Sequence, residues 1–174
     1  MSARSATVTK STHPKHAKRR ALLAVFASLP FANAMTAPSR PDSQIVERIA
    51  RRYRVESSAV ERVITLAERH FPTDPVLLLA IVGVESSWRP WAVGSVGEVG
   101  LCQVRPDMHG ASATELADPG INVRVAARVL RGCLKRSNGD LARGVARYNG
   151  RGDAAQEYAV RVLEERNRLI AGEA

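Results

Sequence analysis

Nine apolar or small residues, Val76 to Val84, run without interruption into Glu85. A helix that is apolar on every side is a buried one, so this run delivers an ionisable carboxyl from the hydrophobic interior to a helix end. Burial penalises the charged form of a carboxylate and raises its pKa. A carboxylic acid that holds its proton near neutrality can serve as a general acid, which is what cleavage of a glycosidic bond requires. Two plainer fates are open to the same side chain: turning out to solvent at the helix end, or pairing with Arg89. The glycines that follow, Gly97 and Gly100, allow a ligand close to backbone, and such loops on a rigid helical scaffold often carry function.

The flanking residues say what must hold this carboxyl in place. Asp74 is a good N-cap and Pro75 suits the first position of the helix leading to Glu85. Upstream, Ile45, Val46, Ile49, Ala50 and Tyr53 form one helical face starting at Asp42. Ser57 or Ser58 can cap a second helix with Val60, Val63, Ile64 and Ala67 inward, ended by Phe71-Pro72. Between residues 89 and 104, Pro90, Gly94, Gly97 and Gly100 punctuate Val93, Val96, Val99, Leu101 and Val104, which predicts a small hairpin or glycine-rich turn system. Asp118-Pro119 opens a helix carrying Val125, Ala126, Val129, Leu130 and Cys133 on one face. Leu141, Val145 and Tyr148 mark another, ended by Asn149-Gly150-Arg151-Gly152. The last helix faces inward with Tyr158, Ala159, Val162, Leu163, Leu169 and Ile170. The fold class is α+β but mainly helical, with one small antiparallel β excursion.

Three stretches in order, Glu85-Ser86-Ser87-Trp88-Arg89-Pro90, Gly97-Glu98-Val99-Gly100-Leu101-Cys102-Gln103 and Arg147-Tyr148-Asn149-Gly150, resemble the soluble-type lytic transglycosylases. That family's pattern is an E-S dipeptide, G-x-x-G-L-M-Q and A-Y-N-x-G, and Asp118-Pro119 with Asn122 fits its penultimate helix region. The resemblance spans about residues 72–165 and marks the chain as similar to a single-domain, specialised member. It implies a lysozyme-like, goose-lysozyme-related fold and cleavage of the MurNAc–GlcNAc β-1,4 bond of peptidoglycan with 1,6-anhydro-MurNAc ends. Glu85 matches the single catalytic acid/base. Ser86, Gln103, Tyr148 and Asn149 match substrate-side positions, and Ser95 stands beside Gly94, where relatives commonly carry a serine. Cys102 replaces the usual Met, Arg147 the usual Ala, and Glu98 the Ala often found after the first glycine. Tyr148 lies on the Leu141/Val145 face and its hydroxyl needs a partner, for which Glu85 is the expected one. A hydrolase would need a second carboxylate; Glu98 and Asp107 are the nearby candidates. Glu98, in a turn, is expected to point to solvent, and Asp107 after Pro106 to begin a short helix. Trp88 and Trp91 can stack on sugar rings, with core packing the plainer role for Trp88.

Composition limits the alternatives. The 174 residues are 45% hydrophobic and 25% charged, with a net charge of +9, the balance of a globular domain rather than a disordered or disulfide-dense chain. That charge suggests a nucleic-acid binder until its distribution is considered. Six basic residues and no acidic one precede residue 34, and beyond it the excess is only +3, so no nucleic-acid partner is expected. The basic cluster Lys15 to Arg20, the apolar run Ala21 to Ala32 and Ala32-Asn33-Ala34 read as a signal peptide, residues 1–34. A short leader, 35–41, and the transglycosylase-like domain, 42–174, follow. The expected location is periplasmic or secreted. There Cys102 and Cys133 can form a disulfide, although Cys133 on its apolar helix face equally suits a buried thiol. The scattered histidines give no metal site, and the resemblance calls for no cofactor. The implied partners are peptidoglycan glycan strands and components of a cell-envelope-spanning secretion or appendage system, met as a monomer. A hydrolytic muramidase and a non-catalytic peptidoglycan-binding or secretion-apparatus scaffold are the competing functions.

Overall fold

The computed structural model describes residues 42–172; the signal peptide, its cleavage point after Ala34 and the 35–41 leader lie outside the described residues. Eight helices follow in chain order: α1 Ser43–Tyr53, α2 Ser57–His70, α3 Pro75–Ser86, α4 Pro106–His109, α5 Ala113–Leu116, α6 Pro119–Arg136, α7 Leu141–Asn149 and α8 Asp153–Ala171. Their starts follow from local chemistry. The carboxylates of Asp42, Asp74, Asp118 and Asp140 each accept a backbone N–H of the first turn, satisfying donors that have no partner inside the helix. Proline takes an early helical position in α3 and α6. α2 departs from expectation: Glu56 is its N-cap, without a side-chain bond, and Ser57 is already helical.

α3 is the buried centre. Leu77 through Gly83 are all buried, as a helix without a polar face must be. It packs against α2 and α8, α8 against α7, and α7 and α2 against α6. Gly83 also makes room for Tyr53 of α1, because a Cβ there would fall 2.5 Å from the Tyr53 hydroxyl. That hydroxyl donates to Glu165 Oε1 (2.7 Å), whose other oxygen takes Arg52 (3.2 Å) and Arg168 (3.0 Å). Glu165 is only 3% exposed, a buried carboxylate satisfied by three donors as such groups must be. On the same helix, Ile170 is exposed rather than inward.

The expected β excursion shrinks to two isolated antiparallel bridges, Val93 with Val99 and Val99 with Val104; no strand forms among the described residues. Residues 89–104 reverse too often for a ladder to grow, with Gly97 and Gly100 both at positive φ. No helix among the described residues is long and apolar enough to cross a membrane.

Candidate active site

Glu85 occupies the last turn of α3, which Ser87 closes in the left-handed conformation. Trp88 is left-handed as well (φ 65°). These two residues turn the chain back sharply, and the Trp88 ring packs into the core, 6.1 Å from Tyr53. The carboxyl above that turn is half-buried. The Tyr158 hydroxyl, from the inner face of α8, donates to Glu85 Oε1 at 2.7 Å. Burial pushes the Glu85 pKa up to about 7; the Tyr158 bond opposes this, the charge of Glu98 adds to it and Arg161 opposes it. Cys102 and Tyr148 complete the groups that interact with Glu85. Burial holds the phenols of Tyr158 and Tyr148 protonated far above neutrality, so both remain hydrogen-bond donors. A substantial share of Glu85 therefore keeps its proton near neutral pH, as a general acid must.

The tyrosine that meets the acid is not the one expected from sequence. Tyr148 does not reach Glu85; its hydroxyl donates to the Cys102 carbonyl at 2.9 Å. Its task is to hold the residue 97–104 segment against α7. Tyr158 is the partner of the acid. An inward tyrosine with an unassigned hydroxyl was the available signal for it, but spacing does not choose between two such tyrosines. Tyr158→Phe removes a bond that favours the ionised carboxyl, so the alkaline limb of any Glu85-dependent activity should move to higher pH. A pH–rate profile showing no move, or an acid shift, would exclude Tyr158 as the tuning group.

Gln103 ends the glycine-rich segment that also carries Glu98. It has positive φ (46°), uncommon for a residue with a side chain, and its amide nitrogen donates to the carbonyls of Ala92 (3.1 Å) and Gly100 (2.9 Å). With both N–H groups used, the carbonyl oxygen Oε1 is the end left for a ligand. Asn122, fully buried in α6, ties this segment down from beneath. It accepts from Cys102 N (2.9 Å) and donates to Val99 O (2.8 Å) and Leu116 O (2.9 Å). Gly100 must be glycine here, since its φ is +80° and a Cβ would collide with Asn122 and sit 2.8 Å from Leu116 O.

The remaining expectations divide. Ser86 is buried and its hydroxyl donates back to Val82 O at 3.2 Å, so it cannot meet a ligand and serves the helix end instead. Ser95 is exposed in the glycine turn, and Asn149 is exposed at the end of α7. Asp107 lies exposed in α4 and is paired with Arg105 at 2.6 Å. Cys102 and Cys133 are free buried thiols, not a disulfide; burial pushes the Cys102 thiol pKa far up, and Arg136 donates to Cys133 Sγ at 3.3 Å. Glu98 does not point to solvent. It is half-buried, its Oε2 accepts from Val96 N at 3.2 Å, and its charge acts on Glu85. Among the described residues no group of three or more His, Cys, Asp or Glu could hold a metal ion.

A helix-borne acid with a raised pKa, a tyrosine donor beneath it and a glycine-rich segment presenting a locked glutamine is an arrangement with known counterparts. Residues 62–167 match the model of the transglycosylase SLT domain. The chain belongs to that family. Among solved structures, it is similar to the 70 kDa soluble lytic transglycosylase of Escherichia coli, at 20% identity and a TM-score of 0.55, over 62% of this chain and 24% of that one. It is also similar to an inactive Glu-to-Gln mutant of the lytic transglycosylase Slt of Pseudomonas aeruginosa, at 19% identity and a TM-score of 0.50, over 75% of this chain and 24% of that one. No curated protein sequence matches it. This SLT-family chain thus shares the fold of those proteins and spans about a quarter of their length. A groove of about 570 Å³ lies apart from the acid, between α2, the start of α6 and the Trp88–Trp91 turn. Trp91 lines it and is 76% exposed.

Proposed function

We propose that the protein is a peptidoglycan lytic transglycosylase that cleaves the MurNAc–GlcNAc β-1,4 bond, leaving 1,6-anhydro-MurNAc ends, with Glu85 as its single acid/base. The observation that carries this reading is the half-buried Glu85 carboxyl, with its pKa pushed up to about 7 and its Oε1 held by Tyr158. With Oε1 engaged, Oε2 is the atom free to carry the proton. In the first step Glu85 passes this proton to the glycosidic oxygen as the C1–O bond breaks, and the substrate's own acetamido group supports the developing positive charge. In the second the MurNAc 6-hydroxyl closes on C1 and returns its proton to Glu85, which is ready for the next turnover. Attack by a tethered hydroxyl gains the entropic advantage of a positioned nucleophile. Family membership over residues 62–167 supports the reading, as does Gln103, whose oxygen is left free by its two N–H bonds. Glycan strands of peptidoglycan are the substrate, and the basic–apolar–Ala-x-Ala N-terminus supports action outside the cytoplasm.

The inward placement of Glu98 favours one competing reading, a hydrolytic muramidase in which a second carboxylate activates water. Product analysis separates the two. Digestion of purified sacculi followed by mass spectrometry should give muropeptides with anhydro ends. Reducing-end MurNAc as the main product would assign the muramidase reaction instead.

A further inference from the structure

Gly94 is bare where the cleft needs room. A Cβ built there would fall on the Glu98 carboxylate and within 2.8 Å of Gln103 Oε1. The two oxygens therefore approach one point from different sides. Both are acceptors: Gln103 spends its N–H groups on the Ala92 and Gly100 carbonyls, and a carboxylate has only acceptor oxygens. Glu98 takes one backbone N–H, from Val96, and forms no salt bridge among the described residues. Two acceptors side by side, one of them a carboxylate that is partly open to solvent and feels Arg105 without a salt bridge, are best satisfied when a donor, water or ligand, sits between them.

We propose that Glu98 and Gln103 form an acceptor pair that binds a hydrogen-bond donor of the glycan, in a subsite that exists because residue 94 has no side chain. The inference rests on the glycan-cleaving reading of this site and adds a specificity-determining residue to it. The charge of Glu98 is felt by Glu85, so the subsite lies within electrostatic reach of the acid and the donor belongs to a sugar ring near the scissile bond. Two chemistries fit: a neutral donor, hydroxyl or acetamido N–H, and the ammonium of an amino sugar that lacks its acetyl group.

The experiment measures calorimetric binding of the N-acetylglucosamine tetramer and of its fully de-N-acetylated counterpart, in a non-cleaving Glu85→Gln background. Glu98→Ala should weaken at least one of them by about tenfold, the loss of one charge-assisted hydrogen bond. Loss on the acetylated tetramer identifies a neutral donor, and loss on the amine tetramer identifies an ammonium. Gly94→Ala keeps Glu98 in the chain but takes its seat, and Gly94 is not among the positive-φ glycines, so alanine fits the backbone and should give the same loss. With Glu85 intact, Glu98→Gln should in addition move the alkaline limb of cleavage to lower pH. Unchanged affinity of Glu98→Ala for both tetramers, or no binding of either by the parent protein, overturns the subsite. Sacculus digestion by the wild-type chain, run in parallel, judges the enzymatic reading separately: cleavage with Glu98-independent binding removes only the subsite.

Discussion

Glu85→Gln should leave the fold intact and reduce cleavage of purified sacculi by about a thousandfold or more, the scale of general-acid catalysis when no second acid can substitute. The amide is nearly isosteric, and its oxygen can still accept the Tyr158 hydroxyl, so the geometry at the end of α3 survives. What it lacks is a proton to deliver to the glycosidic oxygen. The same variant has a stability signature. The Glu85 pKa is raised from 4.5 to about 7 in the folded protein, so its protonated form is favoured by folding. The stability this contributes is full below pH 4.5 and is lost as pH rises through 7. Glu85→Gln removes that dependence and should melt higher than the wild type at pH 8, while the two converge near pH 4. Sacculus turnover at the wild-type rate, in a variant with this melting behaviour, would dismiss Glu85 as the acid.

The second large effect belongs to a residue that touches no substrate. Asn122→Ala should lower stability by about 2–4 kcal/mol, because it removes the side-chain partner of Cys102 N–H and Leu116 C=O and takes one of two donors from Val99 C=O, which keeps Val104 N–H. That is a large share of the roughly 5–15 kcal/mol a domain has to spare. Urea denaturation should show the midpoint falling with little change in slope. Activity should fall further than the folded fraction does, since the segment Asn122 secures is the one that presents Glu98 and Gln103. A midpoint within about 1 kcal/mol of wild type would mean that the glycine-rich segment is held by its other contacts, among them Tyr148.

Much of the fold follows from local chemistry. The Asp caps, the early prolines and the apolar run of α3 place the helices correctly because each signal acts within a turn or two of the residue that carries it. Ser57 missed its assigned role for a local reason too, the helix having started one residue earlier behind Glu56. Of the two readings open for residues 89–104, the glycine-rich turn system formed and not the hairpin, because alternating valines argue for strands only where pairing can extend over several residues, and three glycines within seven positions prevent that. The cysteines show the limit of compartment reasoning: a compartment permits a disulfide, but each thiol already has its own buried niche.

By itself the sequence determined that a carboxyl would emerge from the apolar core at the end of α3, and that burial would keep it protonated near neutrality. The order of its motifs determined the family. Tertiary structure decided which groups meet that carboxyl. Tyr148 and Tyr158 both lie on inward helix faces, and only the packing of α3 against α8 gives Glu85 to Tyr158, leaving Tyr148 for the Cys102 carbonyl. Glu98 folds back over Gly94, where the missing side chain leaves room for its carboxylate. Helical periodicity reports which side of an element faces the core, whereas a 2.7 Å hydrogen bond between residues 73 positions apart depends on how two helices dock, which no local spacing encodes.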